Sequence, residues 1–233
     1  MSAPLEPSAN SVKEVHMHSS GKPTTKVAVT QKPPVLLNLN ASIDCAQNIL
    51  HETADAGAQL VMFPETFLPG YPHWCWQLIP DGKPDRHLGN EIHNCLRRNA
   101  VDLAADDLLP LQETAARLRL VVGMGMNELD STVSGSTLFN TYVIIGADGR
   151  ILNRHRKLMP TNPERMVWGL GDGSGLRVVD TSLGRIGCLI CWENYMPLSR
   201  FALYAQSIDI YLAPTWDSGD TWLSSMIHIA KEG

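Results

Sequence analysis

The sequence predicts a layered α/β fold, because continuous apolar runs alternate with apolar residues at helical spacing. Residues 60–63, and residues 208–213 apart from Asp209, are apolar runs of the kind that form strands covered on both faces. The 233 residues are 44% hydrophobic and 18% charged, which is the composition of a globular protein. That length accommodates one large domain or two small ones.

The first predicted unit is a strand, a helix and a second strand. Residues 26–30 alternate polar and apolar side chains and end before Pro33, which predicts a strand. A helix follows, with Ser42 as its candidate N-cap and Gly57 as its stop. Its apolar positions are Ile43, Ala46, Ile49, Leu50 and Ala54. Residues 60–63 then form the second strand.

The middle of the chain predicts a loop, a helix and a hairpin. Residues 69–99 are rich in Pro, Trp and His and poorly periodic, which indicates a long loop with a short helix. The next helix has Pro110 in its first turn and apolar positions at Leu108, Leu111, Ala115 and Leu118. Residues 120–125 form a third buried strand. Residues 137–145 and 151–152 form a hairpin.

The last third predicts three strands and two helices. Glycines at every second position from 169 to 175 indicate a tight connecting loop before a strand at 176–179. A phosphate-binding loop is disfavoured, because no Gly-Lys-Ser/Thr ending follows and no helix begins there. Further strands are predicted at 185–190 and 208–213. A helix begins near Pro197, and another spans residues 221–231.

The two ends of the chain differ from the rest. Residues 1–25 predict a flexible tail without the apolar core of a secretory signal, and residues 26–233 a single domain. His16 and His18 in that tail are too few for a metal site. The chain stops directly after a helix, so we expect a C-terminally incomplete domain with exposed apolar surface in its C-terminal half.

Charge and cysteine content limit the partners and the compartment. The net charge of −5 comes without a basic cluster, which argues against nucleic acid or an anionic membrane surface. No apolar run is long enough to span a bilayer. Five cysteines, an odd number, together with the absence of a signal sequence, predict reduced thiols and a cytoplasmic protein.

Cys191 is the candidate nucleophile, because it lies where a predicted strand meets a helix. Backbone N–H groups and the helix dipole at such a junction favour the thiolate and can stabilise charge on a substrate. The commoner interpretation of one such cysteine is core packing. Cys188 completes a C-x-x-C pattern, but its position within the strand disfavours a redox pair. Zinc is disfavoured too, because no second pair of ligands is suitably spaced.

Two charged residues are candidates to assist the thiol. Glu65 directly follows the strand at 60–63, where a partly desolvated carboxylate suits proton transfer near neutrality. Its commoner interpretation is a loop cap or an ion-pair partner. Lys157 ends a basic run that would ordinarily be a solvated face. Since an apolar pair and a proline follow it, we expect it to point inward, where it would stabilise an anionic intermediate near Glu65.

With these motifs the chain resembles the nitrilase superfamily of carbon–nitrogen hydrolases, and most closely its true nitrilase branch, over residues 26–233. The resemblance rests on Phe-Pro-Glu at 63–65, His-Arg-Lys-Leu-Met-Pro-Thr at 155–161 and Cys-Trp-Glu-Asn-Tyr-Met-Pro-Leu at 191–198. Residues 168–174 and 211–217 are similar as well. The resemblance implies an αββα sandwich, dimers that extend into larger spirals, and no metal or organic cofactor.

The resemblance also implies roles for single residues. Glu65 would be the general base, Lys157 the stabilising cation, Cys191 the nucleophile and Glu164 a second glutamate that positions the lysine and the substrate. The implied reaction converts a small-molecule nitrile to a carboxylic acid and ammonia through a thioimidate and a thioester. Family members continue past the position of Gly233 and usually have glycine where Ser207 stands.

Aromatic side chains near Glu65 and Cys191 predict the substrate-binding wall. They are Tyr71, His73, Trp74, Trp76 and Trp192. The same catalytic groups would also serve an amidase or a cyanide-degrading enzyme. From other classes, the alternatives are an inactive fragment or non-catalytic interaction protein, and a cysteine protease that uses His228.

Overall fold

The computed structural model describes residues 15–16, 24–77 and 86–233. The strands are β1 (Val15–His16), β2 (Lys26–Val29), β3 (Leu60–Met62), β4 (Val121–Leu129), β5 (Leu138–Ile145), β6 (Ile151–Arg156), β7 (Val179–Thr181), β8 (Gly184–Cys188) and β9 (Ile210–Leu212). The α-helices are α1 (Leu39–Asp55), α2 (Arg86–Arg98), α3 (Leu109–Leu118), α4 (Pro197–Tyr204) and α5 (Asp220–Glu232). Most of the predicted tail, including His18, lies outside the described residues.

The strands form two sheets. The first has the order β1-β2-β3-β4-β5-β6, and the second has the order β7-β8-β9. In the first sheet β2, β3 and β4 are parallel, and β5 is antiparallel to both β4 and β6. In the second, β8 is antiparallel to β7 and parallel to β9. Strands β3, β4 and β6 therefore share one direction.

The layers follow the order helix, sheet, sheet, helix. Apolar residues of α1 and α3 pack on one face of the first sheet, around Leu50, Leu111 and Val122. The other face packs against the second sheet, through residues such as Tyr142 and Ile186. Helix α4 covers the outer face of the second sheet, where its Leu203 is fully buried. This arrangement confirms the predicted α/β sandwich.

Most predicted elements are present, with five differences. Val15–His16, in the tail predicted to be flexible, form β1 and pair with β2. The strand predicted at residues 176–179 is displaced to β7, Val179–Thr181. Asn38, and not Ser42, caps α1, since its side chain accepts the Ala41 N–H at 3.1 Å. The region predicted as a loop with a short helix contains the 13-residue helix α2. Residues 208–213 are not buried on both faces: in β9 only Leu212 is fully buried, because β9 is the last strand of its sheet in the described chain.

Two further observations concern the surface. Among the described residues, no helix combines the length and the apolar character needed to cross a bilayer. The predicted apolar exposure in the C-terminal half is present on α4 and α5, at Leu198, Phe201, Leu223 and Ile227. Leu198, at 82%, is the most exposed of these four side chains.

Candidate active site

Three strand ends bring the candidate catalytic residues together. Glu65 follows β3 and Lys157 follows β6, and because these strands run in the same direction, both residues lie at one edge of the first sheet. Cys191 follows β8 in the facing sheet. Glu164 lies seven residues after Lys157, in the short 3-10 helix Asn162–Met166. The site therefore lies between the two sheets at one end of the sandwich.

Lys157 joins the two glutamates. Its Nζ lies 2.9 Å from Glu65 Oε1 and 2.8 Å from Glu164 Oε2. All three residues are buried, and Lys157 is only 1% exposed. Burial by itself lowers the pKa of the Lys157 ammonium. The negative charges of Glu65 and Glu164 have the larger combined effect and raise this pKa above its ordinary value. Lys157 is therefore a fixed cation at neutral pH, pointing inward as predicted.

The Glu65 carboxylate is oriented by donors on both oxygens. Asn140 Nδ2 donates to Oε1 at 2.8 Å, and the backbone N–H of Trp216 donates to Oε2 at 2.9 Å. Gly125 of β4 lets the Glu65 turn approach closely, because a Cβ at that position would lie 2.6 Å from the Thr66 nitrogen and overlap the carbonyl oxygen of Pro64. A buried carboxylate with this many donors keeps one orientation.

Glu164 is held in the same way. Its Oε2 accepts the Thr161 N–H at 2.6 Å, while its Oε1 accepts the Tyr71 hydroxyl at 2.6 Å. Burial, followed by the charge of Glu164, raises the pKa of Tyr71 far above its ordinary value. Tyr71 is therefore a neutral donor, and Trp76 Nε1 in turn donates to its hydroxyl oxygen at 2.9 Å.

Cys191 occupies a constrained turn. Its φ is +51°, in the left-handed region, and its backbone N–H donates to Pro214 O at 2.8 Å. The Thr215 hydroxyl donates to its Sγ at 3.1 Å. Asn194 closes the turn by donating to the carbonyl oxygens of Leu189 and Cys191. An uncommon backbone conformation maintained by this many contacts is typical of functional sites.

The expectation that the Cys191 environment favours the thiolate is wrong. Burial, followed by the charge of Glu65, raises the pKa of the Cys191 thiol to about 12, against opposing effects of Lys157 and Thr215. Cys191 is the first residue of a 3-10 helix of only five residues, and it is only 5% exposed. The cost of desolvating the thiolate therefore exceeds the stabilisation that so short a helix can give it. The thiol is therefore protonated near neutral pH and needs a base before it can attack.

The predicted aromatic wall is partly assembled at this site. The Tyr71 ring stacks on Trp216 at 4.9 Å and 6°, and His73 lies 6.0 Å from the same indole. Trp76 reaches Tyr71 through its hydrogen bond. Trp192 is 46% exposed, and its Nε1 lies 3.3 Å from Asp217 Oδ2. Trp74 packs with the neighbouring apolar cluster around Leu96 and Trp168.

Sequence reasoning missed several polar residues that orient the catalytic groups. They are Asn140, Thr215, Trp216, His155 and Glu193. Four of them lie inside motifs that carried the resemblance, at 155–161, 191–198 and 211–217. No spacing signal identifies Asn140, because it contacts Glu65 from a position 75 residues away.

The remaining candidate groups have other environments. Cys188 is fully buried within β8, and burial raises the pKa of its thiol far above the ordinary value. All five cysteines lie in the described part of the chain and are unpaired. His228 is exposed on α5, where its Nε2 lies 3.8 Å from Glu232. Within the described residues, no group of three His, Cys, Asp or Glu side chains is arranged to hold a metal ion.

Comparison with known proteins identifies similar sequences along most of the chain. Residues 26–233 match the model of the carbon–nitrogen hydrolase family. The chain is 42% identical over 215 residues to a bifunctional nitrilase/nitrile hydratase, NIT4B, of Nicotiana tabacum, covering 92% of this chain and 60% of that protein. It is 40% identical over 220 residues to the nitrilase blr3397 of Bradyrhizobium diazoefficiens, covering 93% and 66%. It thus spans about three fifths of the length of the plant relative.

A solved structure has the same fold. The carbon–nitrogen hydrolase of Helicobacter pylori G27 superposes with a TM-score of 0.63 at 18% sequence identity. The match covers 88% of this chain and 67% of that structure.

Proposed function

Because the chain belongs to the carbon–nitrogen hydrolase family, we propose that it hydrolyses an organic nitrile to the carboxylic acid and ammonia. Cys191 is the covalent nucleophile in this proposal. The observation that carries it is the buried Lys157 ammonium, which bridges the carboxylates of Glu65 and Glu164 beside a buried thiol. Such a group of a thiol, a base and a fixed cation suits attack on an electrophilic carbon.

In the first step Glu65 takes the thiol proton as Cys191 Sγ attacks the nitrile carbon. The raised pKa of Cys191 makes this base necessary, because little thiolate is present near neutral pH. The proton passes to the nitrile nitrogen, and the product is a thioimidate. The donors from Asn140 and Trp216 keep the carboxylate in place during the transfer.

In the second step water adds to the thioimidate carbon, and ammonia leaves to give a thioester. A second water then hydrolyses the thioester, which releases the carboxylic acid and restores the thiol. Glu65 serves as the base for both waters and as the acid that protonates the leaving nitrogen. No atom is required beyond the nitrile and two waters.

Negative charge that develops on the substrate needs a donor. The Cys191 N–H already donates to Pro214 O, so the Lys157 ammonium and the backbone amide of Trp192 take this role in the proposal. Glu164 holds Lys157 in position, and Tyr71 holds Glu164. The aromatic side chains of Tyr71, His73, Trp74, Trp76 and Trp192 line the substrate pocket in this proposal.

The choice of a nitrile over an amide is supported by the sequence relatives, which are named nitrilases at 40 to 42% identity. An amidase or cyanide-degrading enzyme would use the same residues. Ammonia release from matched pairs, such as benzonitrile with benzamide and propionitrile with propionamide, separates these functions. We expect release from nitriles by the wild-type chain and by Cys188→Ala, and none by Cys191→Ala. Activity confined to amides would favour the amidase.

Assembly and compartment complete the proposal. The exposed apolar side chains of α4 and α5 support a homo-oligomer in which they are covered, because contiguous apolar surface marks contact sites. The unpaired state of all five cysteines, each within the described chain, supports a reducing compartment such as the cytoplasm.

A further inference from the structure

A second buried carboxylate lies within the catalytic turn. Glu193 is fully buried and accepts hydrogen bonds on both oxygens. Oε1 accepts the Leu158 N–H at 2.6 Å, and Oε2 accepts the Ile190 N–H at 2.6 Å. His155 Nε2 lies 3.0 Å from Oε1 and 2.9 Å from Oε2. The carboxylate is therefore satisfied entirely by protein donors.

The positions of these donors connect the two sheets. Leu158 directly follows Lys157, and Ile190 directly precedes Cys191. A single carboxylate thus fixes the backbone beside the cation and the backbone beside the nucleophile. These segments follow β6 of the first sheet and β8 of the second.

The His155 ring contributes the third bond. Because Glu193 already accepts two backbone N–H groups as a carboxylate, His155 Nε2 must carry the proton and donate it. Its Nδ1 is buried and has no partner within the described residues. Among the described residues, the His155 ring therefore forms its hydrogen bond with Glu193. A buried ring nitrogen without a hydrogen bond lowers the stability of the fold, so the bond from Nε2 to Glu193 is the contact that explains a histidine at this position.

We propose that Glu193 and His155 are positioning residues that hold Cys191 against Lys157 and Glu65. This inference rests on the proposed function. Glutamine cannot replace Glu193, because each carboxylate oxygen accepts a different backbone N–H. An amide would direct its own N–H₂ group at one of those donors and displace either the cation or the nucleophile.

Steady-state kinetics test the role in the full chain. Glu193→Gln and His155→Ala should lower kcat by about 10- to 100-fold, the size typical when an outer-shell hydrogen-bond partner is lost, with little change in KM. Rates are normalised to the folded fraction, so that simple instability is removed. His155→Ala keeps both backbone bonds to Glu193 and tests the proposal if Glu193→Gln does not fold.

Asn153→Ala is the matched control. Asn153 is also buried on β6, but its Nδ2 donates to the carbonyl oxygens of Gly175 and Arg177. This variant loses buried hydrogen bonds on the same strand and should keep the wild-type kcat per folded molecule. An equal loss of kcat in Asn153→Ala would show that losing any buried hydrogen bond on β6 lowers kcat. That result would overturn the specific positioning role of Glu193 and His155.

Alkylation of Cys191 by iodoacetamide gives a readout that does not require nitrile hydrolysis. The rate is followed at pH 7.5 by mass spectrometry of the Cys191 peptide, which separates it from Cys45 and Cys95. Because Glu65 then no longer removes the thiol proton, displacement of Cys191 should slow alkylation in Glu193→Gln and His155→Ala by about 10-fold or more. An unchanged or faster rate overturns the positioning role. If the wild-type chain hydrolyses no nitrile but alkylation is slowed in both variants, the proposed nitrile hydrolysis is wrong and the positioning role of Glu193 and His155 stands.

Discussion

The Nζ atom of Lys157 lies 2.9 Å from Glu65 Oε1, although 92 positions separate the two residues in the chain. Both side chains are fully buried. Removing the lysine would leave two buried carboxylates facing each other without a cation. Breaking a buried pair of this kind typically costs about 3 to 5 kcal/mol, which makes Lys157 important for stability as well as for charge.

Lys157→Arg should fold but be inactive, because a planar guanidinium cannot occupy the space of a compact ammonium between Glu65 and Glu164. Ammonia release with a circular-dichroism check of folding measures this. Lys32→Arg is the control, since Lys32 pairs with Glu52 on the surface and should lose nothing. Appreciable turnover by Lys157→Arg would remove Lys157 from its assigned role.

Trp76→Ala should change the preference between aromatic and short aliphatic nitriles more than it changes stability. Trp76 is 45% exposed, so little apolar burial is lost, but its hydrogen bond to Tyr71 disappears. Relative kcat/KM values for benzonitrile and propionitrile measure the effect. Trp222→Ala, on α5, should keep the wild-type ratio. Equal ratios in both variants would place Trp76 outside the pocket.

Ionisation of Cys191 should make folding depend on alkaline pH. Its pKa is raised from 9.0 to about 12 on folding, by burial and then by Glu65. The resulting stability is fully present below pH 9 and is lost as the pH rises toward 12, because the unfolded chain releases this proton first. The urea midpoint of unfolding should therefore decrease more between pH 8 and pH 10.5 for the wild type than for Cys191→Ser. An equal decrease of the urea midpoint in both proteins would show that the Cys191 thiol is not desolvated.

Ser207 occupies a left-handed backbone position, with a φ of +58°. This explains why the resemblance places glycine there, since glycine adopts that conformation without steric cost. Ser207→Gly should raise the free energy of unfolding by up to about 1 kcal/mol. Ser224→Gly, inside α5, should lower it by about 0.5 kcal/mol. A destabilised Ser207→Gly variant would contradict this account.

Glu65 and Cys191 were predictable because each follows a strand that the sequence itself predicts, whereas the role of Glu164 came only from the resemblance. Glu65 and Lys157 could be assigned inward positions from their neighbours alone. Their orienting partners could not, because Asn140, Thr215 and the Trp216 amide reach the site from distant segments. The state of the Cys191 thiol depended on burial between two sheets, which local sequence does not report.

Helix α2 was underestimated for a different reason. Its apolar residues Leu88, Ile92 and Leu96 recur at every fourth position, but polar and charged residues fill the intervals. This stripe makes α2 strongly amphipathic, but the Pro-, Trp- and His-rich residues before it led to the interpretation of the whole region as a loop. Of these residues Leu96 is fully buried, in the cluster that also contains Tyr71 and Trp168. The helical spacing of these residues therefore carried a signal that the loop interpretation overlooked.

The proposed reaction requires a covalent bond between Cys191 Sγ and the substrate carbon. The direct measurement is mass spectrometry of the chain quenched in acid during turnover of benzonitrile, followed by peptide mapping. We expect the mass of a benzoyl thioester or its thioimidate on the Cys191 peptide, in the wild type and in Cys188→Ala, but not in Cys191→Ala. Turnover without an adduct at Cys191, or turnover by Cys191→Ala, would show that Cys191 is not the nucleophile.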